Sequence, residues 1–286
     1  LSIEDARNRK FHIDWGKYLP PKPKLSGSEI LKDYPLKRLV DYIDWTPFFH
    51  TWEMRGKFPD ILTNDKYGDE PQKLFDDANE LLDHLINDKR LTADAVFGIY
   101  PAVSKDEKVS VDSYVFDFPR QLIDKGQKKF NFSLADFISP KEDWIGLFAL
   151  TTGKGIEQII SEYENQLDDY KIIMVKAIAD RLAEAFAERL HQIIRTDYWG
   201  YSMEKEFHIN DLIKENYDGI RPAPGYPACP DHAEKDTIWK ILNVEKNIGI
   251  TLTENRAMYP AASVCGWYFS HPESCYFSVL SNEDRY

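Results

Sequence analysis

The sequence is poor in cysteine, in long apolar runs and in positive charge, and each shortage excludes a class of protein. Cys229, Cys265 and Cys275 are its only cysteines; three cannot all pair within one chain and are too few to scaffold 286 residues. That usage fits a reducing compartment, and the expected setting is cytoplasmic. The longest apolar stretches, 145–150 and 248–252, fall far short of the ~20 residues that a membrane helix requires, so no membrane partner is expected. A formal charge of −12 repels phosphate backbones and leaves no basic stripe, which argues against a nucleic-acid partner. The Gly-x-Gly-x-x-Gly fingerprint of a dinucleotide fold is missing, and Thr151-Thr152-Gly153-Lys154-Gly155 lacks the full phosphate-loop pattern. No internal repeat or low-complexity tract is visible. The opening Leu1-Ser2-Ile3-Glu4-Asp5 has neither an initiator methionine nor the layout of a secretory signal, and reads as a cut in a longer polypeptide.

What is present is enough for a sizeable core, at 43% hydrophobic residues. Residues 1–27 hold the run Leu19-Pro20-Pro21-Lys22-Pro23-Lys24, which cannot continue a helix, and are expected to be a linker arm; residues 28–286 form one large domain. Trp45, Phe48, Phe49 and Trp52 around Pro47 read as core or hinge packing. Between 70 and 91 the apolar residues Leu74, Phe75, Ala78, Leu81, Leu82, Leu85 and Ile86 recur at helical spacing, with Asp77 at the margin of the stripe. Strands are expected at 96–100, as one run at 109–118, and at 144–150, with 134–138 continuing the sheet or its edges. The strongest helix begins near Tyr170 and runs to Ile194, where Arg181, Glu184, Glu188 and Arg189 read as a solvated charged face. Further helices are expected at 209–216 and 237–246, and paired strands over 262–280. Helices and strands are segregated irregularly, which predicts an α+β fold with a twisted, mostly antiparallel sheet flanked by long helices.

Chemistry concentrates in Arg221-Pro222-Ala223-Pro224-Gly225-Tyr226-Pro227-Ala228-Cys229-Pro230-Asp231-His232, a stretch that can be neither helix nor central strand. Prolines lower the entropy lost on ordering such a loop, Gly225 permits close backbone approach, and Arg221 offers a planar fork suited to a carboxylate. These features fit a preorganised ligand site, and a structural proline loop would share the composition. Cys229 and His232 have a Cys-x-x-His spacing, but Cys265, His271 and Cys275 lack ligand-like spacing, so zinc is not expected.

The segment 221–227 resembles the Arg-Pro-Ala-Pro-Gly-Tyr-Pro signature of the reactivation domain of cobalamin-dependent methionine synthase. Blocks at 41–49, 173–177 with 180–188, and 266–272 are similar to further blocks of that family in the same order. The resemblance implies the activation-domain fold and a ligand, S-adenosylmethionine, whose methyl group goes to cob(I)alamin formed by reduction of inactive cob(II)alamin. It implies that Arg221 holds the ligand carboxylate and that Asp77 contacts the methionine part. The backbones of Ala223 to Gly225 and of Tyr268 and Phe269 would line the adenosine, Tyr226 would lie toward the corrin, and Glu184 and Glu215 would be acidic contributors. No catalytic residue is assigned, because the nucleophile is the cobalt. The chain has no Asp-x-His-x-x-Gly motif, so cobalamin belongs to a neighbouring domain, which with a flavodoxin or flavoprotein reductase is the implied partner. The rival expectation is a non-catalytic docking module that caps the cobalamin domain and recruits the reductase.

Overall fold

The computed structural model describes residues 1–126, 129–203, 211–212 and 214–280. Its centre is an antiparallel sheet built on two long strands, β2 (Thr92–Lys105) and β5 (Asp143–Lys154), paired from Thr92↔Lys154 to Ala102↔Asp143. On its other edge β2 carries two short strands end to end. β1 (Gly27–Leu31) pairs with its first half, and β3 (Lys108–Val111) with Val103 to Lys105. β4 (Tyr114–Asp117) extends the sheet beyond β3, and β8 (Ser263–Tyr268) closes the far side against β5. A separate ribbon pairs β6 (Thr251–Leu252) with β7 (Met258–Tyr259).

Strand periodicity divides the core in two. Ala95, Phe97, Ile99, Phe148 and Leu150 face one apolar cluster, whereas Val96, Ile145, Leu147 and Ala149 face the other. Both faces are covered, so the central strands read as nearly continuous apolar runs. The first face is covered by α2 (Thr46–Thr51), α3 (Glu70–Asn87), α4 (Ile156–Asn165) and α5 (Asp169–Ile193). Asp168 caps α5 by accepting a hydrogen bond from the Lys171 N–H, and a π-helical turn, Ile194–Tyr198, ends it. The second face is covered by α6 (Glu234–Leu242), α7 (Val244–Ile248) and loops carrying Phe132, Phe137 and Phe277.

The α+β fold with its antiparallel sheet is as the sequence predicts, and the local departures have physical causes. The run 109–118 is two strands, because Asp112 takes a left-handed φ of 51° and turns the chain back. Residues 134–137 are a 3-10 turn, held by a capping box between Ser133 and Asp136. The helix expected at 237–246 breaks at Asn243, with φ 47°. Within 262–280 only Ser263–Tyr268 is a strand; Phe269 then forms an isolated bridge with Ile220. Of the helix expected at 209–216, residues 209, 210 and 213 lie outside the described residues; Asp211 and Leu212 are helical, and Lys214 and Glu215 form a turn. Residues 1–27 pack on the domain: α1 (Ile3–Arg7) buries Ala6, Phe11 lies against Phe132, and the Trp199 indole donates to the Pro21 carbonyl.

Candidate functional site

The loop that begins at Arg221 is fixed to the sheet by its backbone. The Trp267 N–H donates to the Pro222 carbonyl at 3.0 Å, and Ile220 and Phe269 exchange both backbone bonds. Gly266 permits this approach, since a Cβ there would meet the Pro222 oxygen at 2.4 Å. Farther along, Gly225 donates to the Cys229 carbonyl and Cys229 to that of Tyr226, closing a tight turn that leaves Tyr226 53% exposed.

Between this loop and α5 lies a cavity of about 290 Å³ lined by Glu184, Glu215, Arg221, Pro222, Ala223, Tyr226, Val264 and Tyr276. Arg221 Nη1 is 3.9 Å from Glu184 Oε2, and its Nη2 donates to Glu188 Oε2 at 3.2 Å. Its backbone N–H donates to the Tyr276 hydroxyl at 3.0 Å. Burial works against the Arg221 charge, but Glu188 ahead of Tyr276, Tyr217 and Glu184 outweighs it and raises its pKa well above the usual value. The site therefore offers one permanent cation, two carboxylates and two phenol rings around a part-apolar wall. That set suits a zwitterionic head attached to an aromatic body.

Of the residues singled out in the sequence, Arg221, Ala223, Tyr226, Glu184 and Glu215 meet here. Gly225 shapes the turn without lining the cavity. Tyr268 and Phe269 are fully buried beneath it, their backbones committed to pairing with Gly146 and Ile220, so neither forms the wall. Asp77 is not brought to the cavity. Its carboxylate accepts from the Tyr170 hydroxyl at 2.8 Å, in a different cavity of about 400 Å³ between α3, α4 and α5. Tyr170 precedes Glu184 by fourteen residues of one helix, roughly 21 Å at 1.5 Å per residue. An ammonium and a carboxylate on one carbon atom cannot be shared between Asp77 and Arg221 across that span. Glu188, read in the sequence as part of a solvated face, is 8% exposed and bonded to Arg221. Tyr276 and Val264 were missed as lining residues; one lies in irregular chain and the other looks like any strand valine. The spacing 184, 188, 191, 195 along α5 and its terminal turn is the signal that a polar stripe faces inward.

The thiols of Cys229 and Cys265 are pushed up to about 12, chiefly by burial, so neither supplies a thiolate. Among the described residues no group of three or more His, Cys, Asp or Glu side chains is placed to hold a metal ion. No helix among them is long and apolar enough to cross a membrane.

A fold of this kind, with a preorganised loop clamped on a sheet edge, defines a small-molecule-binding module, and comparison with known proteins gives its family. The model of the vitamin B12 dependent methionine synthase activation domain matches residues 35–284, and the chain belongs to that family. It is similar to a crystal structure of the MetH reactivation domain bound to AdoHcy, at 46% identity and a TM-score of 0.94. The match covers 98% of this chain and 89% of the other.

Proposed function

We propose that the cavity beside Arg221 binds S-adenosylmethionine and that the chain serves the reductive reactivation of methionine synthase. The observation that carries the reading is Arg221 itself, a partly buried fork flanked by Glu184 on the cavity side of a loop that the sheet holds rigid. In this reading Arg221 takes the ligand carboxylate, and Glu184 and Glu215 take the ammonium, the role first expected of Asp77. Tyr276, Val264 and the Pro222–Ala223 backbone pack on the adenosine. Tyr226, exposed at the mouth, faces the corrin carried by the neighbouring cobalamin-binding domain.

Cobalamin, once reduced, supplies the nucleophile that takes the methyl group. This chain's residues bind and orient the sulfonium and keep competing acceptors away. The whole enzyme is then a 5-methyltetrahydrofolate–homocysteine methyltransferase, and the electron comes from a flavodoxin or flavoprotein reductase. So sparse a use of cysteine accords with a cytoplasmic setting. The test is calorimetric titration of the chain with S-adenosylmethionine. A saturable site should weaken by about 1.5–3 kcal/mol in Arg221→Ala, roughly ten- to a hundredfold in Kd, with folding intact. Unchanged binding in the variant refutes the site, and no binding by the folded wild-type chain returns the docking-module reading.

A further inference from the structure

Behind the Arg221 cavity, α5 and its terminal turn place four polar side chains in one inward stripe: Glu184, Glu188, His191 and Arg195. Glu184 belongs to the cavity wall and Glu188 does not. The Glu188 side chain is only 10% exposed, and three groups converge on it. Arg221 Nη2 donates to Oε2 at 3.2 Å, the Tyr217 hydroxyl donates to the same oxygen at 3.4 Å, and Arg195 Nη1 lies 4.0 Å from Oε1. Arg195 is fully buried, with its guanidinium 3.8 Å from the centre of the Tyr217 ring. The buried ring of His191 stacks on Tyr268 at 5.0 Å and 13°, closing the floor beneath Arg221.

A lone arginine on a loop has several rotamers, of which one presents its fork to a ligand. The stripe removes that freedom. With Nη2 held by a buried carboxylate that Tyr217 also hydrogen-bonds and that Arg195 faces at 4.0 Å, the guanidinium is constrained. Nη1 is left on the cavity side, 3.9 Å from Glu184, and Nε makes no hydrogen bond. Without the Glu188 charge, the buried Arg195 and the partly buried Arg221 would be two cations facing one neutral group, and Arg221 would turn toward Glu184 and the solvent. We infer that Glu188, braced by Arg195 and Tyr217, is a positioning residue that aims Arg221 at the carboxylate of the ligand, so that affinity for an amino-acid head depends on a residue outside the cavity wall. This rests on the proposed reading of Arg221 as the carboxylate clamp.

The experiment compares binding of S-adenosylhomocysteine with that of its decarboxylated analogue, which keeps the amine and the nucleoside. Wild type, Glu188→Gln, Glu188→Ala and Arg221→Ala are titrated, each with its melting profile. Wild type should prefer the carboxylate-bearing ligand, and Glu188→Gln should lose roughly tenfold of that affinity while holding the analogue within about twofold. Glu188→Ala should lose more than Glu188→Gln, since the amide can still accept from Arg221. Retained preference in both Glu188 variants overturns the inference. So does an equal loss for both ligands, which marks general damage to the floor. If Arg221→Ala keeps the wild-type preference, the clamp reading itself fails and the role of Glu188 falls with it. Loss in Arg221→Ala with retention in both Glu188 variants refutes the positioning role alone.

Discussion

At Gly225 the backbone turns with φ 92°, and a Cβ built there would lie 2.1 Å from the His232 ring. Any L side chain meets two penalties at once, a left-handed backbone and a collision with a ring. Gly225→Ala should therefore destabilise the chain by more than about 1 kcal/mol, read as a shifted denaturant midpoint. It should also weaken ligand binding, because Ala223 and Tyr226 are anchored through the same turn. An unshifted midpoint would mean that the loop rearranges freely and is no rigid frame. Arg221 and its loop were legible in the sequence, since four prolines and one glycine within twelve residues leave little conformational choice. Glu188 was not: a carboxylate four residues after Glu184 on an amphipathic helix has the pattern of a wet face. What buries it, β8 and the Arg221 loop, comes from later in the chain. The Asp77 expectation failed for the complementary reason, as nothing in a helical stripe says which end of α5 will meet it.

Single elements show how far periodicity carries. α3, α5, β2 and β5 were legible because their apolar residues follow one period over many positions. The breaks at Asp112 and Asn243 were not, because a left-handed residue other than glycine is chosen by the turn's surroundings. The start of β5 also carries a titration. Asp143 is 3% exposed and accepts from the Ser139 and Trp144 N–H groups at 2.8 and 2.7 Å. Burial outweighs those two bonds and raises its pKa from 3.8 to about 6. The folded state thus holds this proton more tightly than the unfolded chain. Its contribution to stability is full below the unfolded pKa and is lost as pH rises through about 6. Asp143→Asn fixes the neutral form. The stability of the variant relative to wild type should therefore rise by up to about 3 kcal/mol between pH 4 and pH 7.5. A difference that stays flat across that range would show that the carboxylate ionises at no cost in the fold.

At the scale of the molecule the segment 1–27, expected to be a linker arm, behaves as part of the domain it precedes. The prolines do keep it extended, but extension is compatible with docking, and its apolar and charged residues decide where it docks. Arg7 Nη2 meets Glu107 at 2.6 Å; Glu107 pairs with the buried Arg120 at 2.7 Å, and Arg120 binds Asp136 at 2.7 Å. Phe11 packs against Phe130, Phe132 and Phe137, and Trp15 and Tyr18 lie against His271 just beyond the end of β8. The Arg9 carbonyl accepts from Asn131, whose own carbonyl accepts from Arg120. Residues from the arm thus touch the second apolar cluster, a buried ion network and the segment that follows the strand supporting the Arg221 loop. Removal of residues 1–24 should lower stability by on the order of 3 kcal/mol or more. It uncovers the Phe11 contacts and leaves Glu107 with a single cation. Arg7→Ala alone should shift stability only slightly, since that side chain is 39% exposed and its ion pair is screened by solvent. Equilibrium urea unfolding of the two variants decides the matter. An arm that merely connects would leave both midpoints at the wild-type value, whereas a docked arm gives a large shift for the deletion and a small one for Arg7→Ala.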